Sequence, residues 1–357
     1  MSKKKLLFLP KYPRKGASSR LRTFQFLPLW EKEGYAVSVS PFFTEEYLNS
    51  IYKYQSPGYW HVLKCYFRRF SLLFSVQKYD LIIIEKEIFP YLPAFAELFL
   101  SKVNQYWVDY DDAVFHNYDQ KDNFMVNLLM PKKIDHVMKM ANRVIVGNDY
   151  LKKRAEVAGA KKIEVFPTVI DPKKYKVKED QSPFKTITIG WIGSPSTLKY
   201  LDPIVPILDW IHEHYSIKFL LVNGKSKMKF KGRIESIPWT EDGEVEAILK
   251  MDIGIMPLPD NPWERGKCAY KLIQYMACGL PVVASPIGMN KDVVIHGENG
   301  FLANSKEEWI SALGKLITDP QLRKEFGYKG REKVLKEFTM EGNFYRYKKL
   351  VELELGD

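Results

Sequence analysis

The chain has few cysteines and no long hydrophobic run. Only three of its 357 residues are cysteine (Cys65, Cys268 and Cys278), and their spacing matches no metal-binding or redox motif. This scarcity predicts a protein of a reduced, cytoplasmic compartment. No stretch approaches the roughly 20 apolar residues that a membrane-spanning helix needs. The apolar run at residues 6–9 ends at Pro10, so we interpret it as a first strand and not as a signal peptide.

Motifs of nucleic-acid-binding proteins are also missing. The sequence contains no helix-turn-helix, RNP or zinc-finger pattern. Nearly all of the net charge of +11 nevertheless lies in residues 1–180. Because a basic face attracts anions, we expect lipid headgroups or a phosphorylated carrier as partners of this half, and no nucleic acid. A solvated basic surface without a partner is the alternative.

The apolar fraction of 46% is ample for folded cores, and the length suits two domains. Short runs rich in β-branched and aromatic residues alternate with longer helical stretches in residues 1–170, and the alternation restarts in residues 185–337. This order predicts an α/β protein with two Rossmann-like domains, each a doubly wound parallel sheet covered on both faces. The polar residues 171–184 are predicted to form a linker. The predicted strands are residues 5–10, 35–41, 79–85, 105–110, 143–148, 163–167, 186–193, 217–224, 252–258 and 280–285.

Residues 262–288 combine a cationic loop, a helix, a tight turn and a buried strand. The middle of this segment has apolar side chains at helical spacing, and Gly279 supplies the helix stop. Arg265, Lys267 and Lys271 therefore cluster at the N-terminus of the predicted helix. Because backbone amides and the helix dipole already favour an anion there, the cluster predicts a diphosphate site. A solvated basic loop over a core helix is the alternative.

This segment resembles the donor-binding signature of GT-B fold glycosyltransferases of the retaining family 4 type (glycosyl transferases group 1). The resemblance implies two domains facing across a cleft, with the acceptor bound by the first and a nucleotide-sugar donor by the second. It further implies sugar transfer from a nucleotide diphosphate with retention, no metal or other cofactor, and a last helix, residues 338–357, that braces the first domain. The stretches that carry it are KLIQYMACGLPVVAS at 271–285, GWIGSPST at 190–197, IGIMPLPD at 253–260 and GENGFLA at 297–303, and more loosely VDYDDAVF at 108–115, ANRVIVGNDYL at 141–151 and GASSRLR at 16–22.

The resemblance assigns a donor site to residues of the second domain. Lys271 and Arg265 are expected to stabilise the leaving diphosphate. The small and hydroxyl side chains after Gly193 suit a phosphate cradle, and Trp239 is a candidate for stacking on the base, with a loop anchor as its alternative role. The full set of expected donor contacts is Gly193, Ser194, Ser196, Thr197, Lys225, Trp239, Gly266, Lys267, Cys268, Tyr270 and Gln274.

Two positions depart from the family's pattern. Relatives carry a glutamate, seven residues and a second glutamate, which contact the donor sugar and the ribose, whereas this chain has Gly266 and Gln274 there. The amide of Gln274 can bond a ribose, but Gly266 has no side chain, so Glu264 would have to reach the sugar or the sugar is held otherwise. A noncatalytic sugar-nucleotide or glycan-binding protein, or an epimerase or hydrolase on the same fold, therefore stays open.

The first domain is expected to supply the acceptor pocket. The resemblance puts His116 near the transferred sugar, which makes it a candidate catalytic residue, with a packed histidine as the alternative. Asp109, Asp111 and Asp112 look like the metal-binding motif of another glycosyltransferase fold, but they close a first-domain strand and we expect no metal there. The candidate acceptor residues are Gly16, Ser19, Arg20, Glu87 and Asp112.

Residues 59–76 form a candidate membrane-binding helix. Aromatic residues that dip into a headgroup layer and cations that meet anionic lipid suit a peripheral position at the inner face of the cell membrane. A lipid-linked acceptor for polysaccharide or glycolipid synthesis would be presented there. Packing of this helix on the domain's own sheet is the alternative. The two predicted stripes are Lys64, Arg68, Ser71 and Ser75, and Trp60, Leu63, Phe67, Phe70 and Phe74.

Overall fold

The computed structural model describes residues 3–53, 55–120, 124–178, 186–223 and 228–356. They fall into two compact units, each built on one six-stranded sheet. The first unit comprises Met1–Thr168, Arg265–Cys268 and Asn343–Asp357, and the second comprises Val169–Glu264 and Ala269–Gly342.

The sheet of the first unit is entirely parallel. Its order is β2-β1-β3-β4-β5-β6, so the chain runs outward in opposite directions from the boundary between β1 and β3. In doubly wound sheets, ligands bind beyond the carboxyl ends of the strands at such a reversal. The strands are β1 (Lys5–Leu9), β2 (Ala36–Val39), β3 (Leu81–Glu85), β4 (Tyr106–Tyr110), β5 (Arg143–Val146) and β6 (Ile163–Val165).

The second unit repeats this plan. Its parallel sheet has the order β12-β11-β10-β7-β8-β9, and the reversal lies between β7 and β10. The strands are β7 (Ile187–Ile192), β8 (Ile217–Val222), β9 (Ile234–Ile237), β10 (Ile253–Met256), β11 (Val282–Ala284) and β12 (Gly300–Leu302).

Helices connect the strands in both units. Short 3₁₀ helices are found at Phe24–Phe26, Val76–Lys78 and Pro195–Ile204. Among the described residues, no helix is long and apolar enough to cross a bilayer. The α-helices are α1 (Ala17–Arg22), α2 (Leu27–Lys32), α3 (Glu45–Tyr52), α4 (Tyr59–Leu73), α5 (Phe95–Val103), α6 (His116–Asp119), α7 (Phe124–Leu129), α8 (Lys133–Met140), α9 (Asp149–Ala158), α10 (Val205–His214), α11 (Glu244–Leu249), α12 (Pro262–Arg265), α13 (Tyr270–Ala277), α14 (Asn290–Val293), α15 (Lys306–Thr318), α16 (Pro320–Glu337) and α17 (Met340–Leu355).

The predicted α/β architecture is confirmed, and each of the ten predicted strands is present. The strands β9 and β12 were missed. The side chains of β9 are only partly buried, and β12 is three residues long, so neither produces an apolar run in the sequence. Both lie at the edges of the second sheet, where one neighbouring strand suffices.

The unit boundaries differ from the predicted domain boundaries in three places. The segment Arg265–Cys268 belongs to the first unit. Residues 171–178 of the predicted linker belong to the second, where Tyr175 is buried, and residues 179–184 lie outside the described residues. From Asn343 onward, α17 is part of the first unit, where the ring centres of Phe344 and Tyr347 lie 4.8 and 5.3 Å from that of Trp30. This aromatic packing ties the C-terminal residues to the first sheet.

Candidate functional site

In the second unit, Lys271 lies against the loop that follows β7. Its ammonium is 4.7 Å from the centre of the Trp191 indole ring, which is cation–π distance. Gly193 makes room for this contact, because a Cβ there would lie 2.4 Å from the Trp191 ring and 2.9 Å from Cε of Lys271. Since Lys271 belongs to the first turn of α13, the ammonium and the positive end of the helix dipole favour an anion at the same place.

Three hydroxyl groups follow Gly193 directly. The Oγ of Ser194 is 3.0 Å from that of Ser196 and 3.3 Å from Oγ1 of Thr197, which donates to the Ser194 carbonyl at 2.8 Å. Hydroxyls can reorient and donate to an anion. The cluster lies beyond the carboxyl end of β7, at the reversal between β7 and β10. Lys225, predicted to add a charge to this site, lies outside the described residues.

The backbone is strained where α13 begins. Ala269 has φ of 51° and ψ of 22°, a left-handed conformation that costs a residue with a Cβ about 1 kcal/mol or more. Such strain persists only where the surrounding structure enforces it, and it is concentrated at functional sites. Here it sets the direction from which the chain enters the helix that carries Tyr270 and Lys271.

A closed hydrogen-bond network takes up several predicted donor residues. The amide of Gln274 donates to the Tyr175 hydroxyl at 3.0 Å, and the Tyr270 hydroxyl is 3.2 Å from the same oxygen. Tyr175 in turn donates to Glu244 at 3.0 Å, and the indole N–H of Trp239 donates to the other oxygen of that carboxylate at 2.8 Å. Burial raises the pKa of Tyr175, which keeps its proton available for Glu244.

The network corrects one expectation. Gln274 is 2% exposed, and its amide serves Tyr175, so it presents no accessible group to a ribose in this structure. Trp239 is half-buried with its N–H bonded to Glu244, which fixes the ring and leaves base stacking as a prediction.

Glu264, the candidate to replace the missing family glutamate, is held by another side chain of the second unit. Its side chain is buried, and its carboxylate accepts a hydrogen bond from the Tyr200 hydroxyl within the second unit. Leaving a buried carboxylate without a hydrogen-bond donor costs free energy. Movement of Glu264 to a sugar would therefore require a replacement donor for this carboxylate.

Arg265–Cys268 packs within the first unit. The amide of Asn148 donates to the Lys267 carbonyl at 3.0 Å, and the Cys268 thiol contacts the Asp111 carbonyl at 3.2 Å. A Cβ on Gly266 would lie 2.8 Å from the backbone nitrogen of Ala113, so a side chain does not fit there. Burial raises the pKa of the Cys268 thiol, which makes it a packed, unreactive group.

The three cations of the predicted cluster belong to different units, and their common site stays a prediction. Arg265 and Lys267 belong to the first unit, and Lys271 belongs to the second. Lys267 lies close enough to Asp112 for its charge to lower the pKa of that carboxyl, although burial raises this pKa more strongly.

Both ring nitrogens of His116 are bonded within the first unit. Nδ1 is 2.8 Å from Asp119, and Nε2 is 2.9 Å from the Tyr150 hydroxyl. With the carboxylate as acceptor, Nδ1 carries the proton, and Nε2 accepts from Tyr150. Burial raises the pKa of Tyr150, and the charge of Arg265 opposes this rise. The structure therefore brings His116, Tyr150 and Arg265 into one neighbourhood.

A buried lysine that the sequence reasoning missed lies beyond the carboxyl ends of β3 and β4. The ammonium of Lys86 is 3.1 Å from Asp111, 3.5 Å from Asp112 and 3.8 Å from Glu85. Burial would lower its pKa, but these carboxylates outweigh burial and raise it. Lys86 also has φ of 70°, a left-handed conformation. The available signal was the pair of charged stretches, EKE and DYDD, at the ends of two buried strands.

Most of the residues predicted to bind the acceptor are buried or form hydrogen bonds with other protein groups. Ser19 is fully buried and donates to Glu85 at 2.5 Å, and Glu87 accepts from Lys133 and Tyr118. Arg20 is also buried, whereas Asp112 keeps 29% of its side chain exposed. The acceptor contacts predicted for Ser19 and Glu87 are therefore not available in this structure.

The remaining first-unit candidates have structural partners. Gly16 is the N-cap of α1, where a Cβ would lie 2.5 Å from that of Tyr12. Asp109 is held by the guanidinium of Arg22 at 2.7 Å. In the part of the chain that the structure describes, no three His, Cys, Asp or Glu side chains are grouped to hold a metal ion.

Comparison with known proteins extends these observations. Residues 186–319 match the family described as Glycosyl transferases group 1. An uncharacterized glycosyltransferase of Methanocaldococcus jannaschii is 36% identical over 94 residues, which are 26% of this chain and 24% of that relative. The chain thus spans about a quarter of the length of this curated relative.

Two solved structures share the fold over 98% of this chain and 99% of their own, both at 15% identity. They are sucrose-phosphate synthase from Thermosynechococcus elongatus, with a TM-score of 0.73, and HepE of Anabaena, solved with UDP and glucose, with a TM-score of 0.70. The chain therefore has the GT-B fold, and its residues 186–319 are similar to the glycosyl transferases group 1 family.

Proposed function

We propose that the protein is a glycosyltransferase that moves a sugar from a nucleotide-diphosphate sugar to a glycan or lipid-linked acceptor with retention. The observation that carries the proposal is the position of Lys271 beside Gly193, at the strand-order reversal of the second sheet. Ligands of doubly wound folds bind at this kind of place. The UDP and glucose in the structure of HepE support a nucleotide-sugar ligand for this fold.

In the proposed reaction, the bond between the anomeric carbon and the diphosphate oxygen breaks, and the acceptor oxygen forms the new bond to that carbon. The acceptor proton goes to the departing phosphate, so no protein nucleophile or metal is required. Lys271 and the hydroxyls of Ser194, Ser196 and Thr197 would stabilise the charge that gathers on the diphosphate. Groups that meet charge as it develops contribute most to the rate.

We infer an acceptor position at the corresponding reversal of the first sheet, beyond the carboxyl ends of β1 and β3. Lys11 and Tyr12 are half-buried there, and Lys86 and Asp112 follow on the neighbouring strands. These groups replace Ser19 and Glu87 as candidates for contact with the acceptor. Burial lowers the pKa of Lys11, which makes its ammonium easier to neutralise than that of an exposed lysine.

The donor assignment is tested by thermal shift. We expect one member of a panel of UDP-, GDP- and ADP-sugars to raise Tm. At a hundredfold excess over Kd, binding adds about 2.7 kcal/mol to the free energy of unfolding. The shift in Tm should be the same in EDTA. Product analysis should then show consumption of that donor when glycan or cell-envelope lipid acceptors are added. A shift without turnover would favour the noncatalytic alternative, and the absence of any shift would overturn the donor site.

The role of His116 is tested separately. For His116 to contact the sugar, Nε2 must exchange the Tyr150 hydroxyl for a sugar hydroxyl. His116→Ala is then expected to lower turnover by about 10²-fold or more while leaving the Kd of the sugar nucleotide nearly unchanged, because such a contact counts mainly in the transition state. The matched control is His136→Ala, since His136 is exposed on α8 of the same unit. Equal losses of turnover and affinity, or no loss of either, would assign His116 a packing role with Asp119 and Tyr150.

A further inference from the structure

The outer face of α4 is aromatic and exposed to solvent. Tyr59 is 75% exposed, Trp60 73%, Phe67 63% and Phe74 80%. The opposite face, made of Cys65, Arg69 and Leu73, is buried. Packing on the unit's own core therefore explains the inner face of α4, whereas the described residues leave the aromatic stripe exposed.

The helix also corrects two expectations. It ends at Leu73, earlier than the predicted residue 76, and Leu63 is half-buried instead of lying on the exposed stripe. Arg69 is 1% exposed and donates to the Ser40 carbonyl at 2.7 Å, and Arg68 donates to the Phe42 carbonyl at 2.8 Å. Substitution of either arginine would disturb the fold, so other cations must be used to probe lipid binding.

The exposed apolar surface continues beyond α4. Tyr66 of α4 stacks on Phe89 with ring centres 5.9 Å apart, and Phe89 stacks on Phe95 of α5 at 5.7 Å. Along α5, Phe95, Leu98 and Phe99 are 47%, 47% and 44% exposed. Monomeric soluble proteins rarely expose a large contiguous apolar patch unless it binds something.

A further pair of exposed apolar side chains lies on α7. In α7, Leu128 is 64% exposed and Leu129 66%. This helix packs next to α6, whose Tyr118 has its ring centre 5.7 Å from that of Tyr91 in the loop before α5. The exposed apolar side chains of α4 and α5 will be called the docking face.

The charged side chains around the docking face indicate which kind of partner it binds. Among the described residues 55–103, the acidic side chains of Glu85, Glu87 and Glu97 are buried and Asp80 is exposed. Glu46, whose carboxylate is 3.8 Å from Nδ1 of His61 on α4, is a second exposed acid beside this helix. Exposed cations of the same stretch are Lys64, Arg68, Lys78 and Lys102. Aromatic side chains bordered by cations match the interface of an anionic bilayer. A second copy of the chain would bring two basic faces together, which like-charge repulsion disfavours.

We propose that α4 and α5 form one docking face that inserts its aromatic and aliphatic side chains into the headgroup layer of an anionic bilayer. The proposal rests on the proposed function only in giving the bilayer a purpose, namely to present a lipid-linked acceptor to the first unit. The loop between β3 and α5 joins the docking face to the acceptor side. It begins at Lys86, and its Pro90 carbonyl accepts from Tyr66 of α4.

The first test is co-sedimentation with vesicles of phosphatidylcholine alone or mixed with phosphatidylglycerol. We expect the full chain to bind the mixed vesicles, and the triple variant Trp60→Ser, Phe67→Ser, Phe74→Ser to lose at least about tenfold in partition coefficient. The matched control is Val157→Ser, Tyr345→Ser, Leu353→Ser, which removes apolar side chains that are 82%, 70% and 67% exposed on α9 and α17. Equal losses in the two variants, or no binding by the unmodified chain, would overturn the proposal.

The second test concerns charge. Lys64→Glu with Lys102→Glu should weaken binding to the anionic vesicles several-fold, and added salt should do the same. Lys153→Glu with Lys161→Glu, two exposed positions away from the docking face, should change binding little. Binding that is independent of both charge and salt would overturn the anionic-lipid assignment.

Two measurements distinguish bilayer binding from donor binding and from self-association. The donor-induced thermal shift should be unchanged in the triple variant, so loss of vesicle binding with an intact shift isolates the docking face from the donor site. Sedimentation velocity without vesicles should show a monomer. A dimer that the triple variant dissociates would assign the docking face to self-association and overturn the bilayer proposal.

Discussion

Lys271→Ala is expected to lower kcat/KM for the cognate sugar nucleotide by about 30- to 1000-fold, equivalent to roughly 2–4 kcal/mol of transition-state stabilisation. The ammonium over Trp191 is held next to Gly193, where the β7 loop and the start of α13 converge. Since a phosphate at this place gains charge as the glycosidic bond breaks, most of the loss should appear in kcat. Initial rates measured across donor concentrations give kcat and kcat/KM for both proteins.

The matched control for this variant is Lys315→Ala. Lys315 also has its ammonium over an aromatic ring, 5.6 Å from the centre of Phe301, but it lies on α15 outside the donor loops. Its removal should leave kcat/KM within about twofold of the unmodified protein, because surface substitutions have small effects. Near-normal turnover by Lys271→Ala, or similar losses in both variants, would contradict the role of Lys271.

The second large effect concerns stability. Lys86→Met is expected to lower the free energy of unfolding by about 3–5 kcal/mol at neutral pH, because it leaves buried carboxylates without their cation. Lys86 and Asp111 keep only 6% and 12% of their side chains exposed. Methionine retains an unbranched stem, so the cost of the left-handed backbone at this position is unchanged. Urea denaturation of the unmodified protein and of Lys86→Met measures the difference in their free energies of unfolding.

The pH dependence of the difference in free energy of unfolding between the unmodified protein and Lys86→Met shows whether charge causes the loss. In the unmodified protein, burial would raise the pKa of Asp111, but the charge of Lys86, a hydrogen bond from Ser18 and the charge of Arg22 together outweigh burial and lower this pKa. The stability that this carboxyl contributes is therefore present above its unfolded pKa and lost as pH falls through the folded pKa. In Lys86→Met, removal of the lysine charge raises the pKa of the same carboxyl above its value in the unmodified protein, so the penalty of the variant shrinks as pH falls. The gap between the two proteins should therefore narrow from neutral to mildly acidic pH.

A double variant serves as the control. Lys86→Met with Asp111→Asn should recover part of the stability at neutral pH, since one of the uncompensated charges is removed. A gap that is constant with pH, together with no recovery in the double variant, would assign the loss to packing and not to charge.

Ten of the twelve strands in the described residues and helix α13 could be predicted from the sequence because their signals are local. Apolar runs such as residues 81–84 and 282–284 are buried on both faces of a parallel sheet and are visible without any partner. The turn at Gly279, with φ of 72°, ends α13 as the sequence indicates. Lys271 and Gly193 could be assigned to one site because each follows a predicted strand.

The partners of polar side chains were decided only by the tertiary structure. Gln274 bonds Tyr175 across 99 residues of sequence, and Ser19 bonds Glu85 across 66. No local pattern encodes such pairs, because a buried donor binds whichever acceptor the fold brings to it. The same applies to Arg69, which helical periodicity leaves open but packing buries. Sequence alone thus determined ten of the twelve strands in the described residues and the loops that contain Gly193 and Lys271. The fold determined which charged and amide groups are taken up by other protein groups and which remain accessible to a ligand or a bilayer.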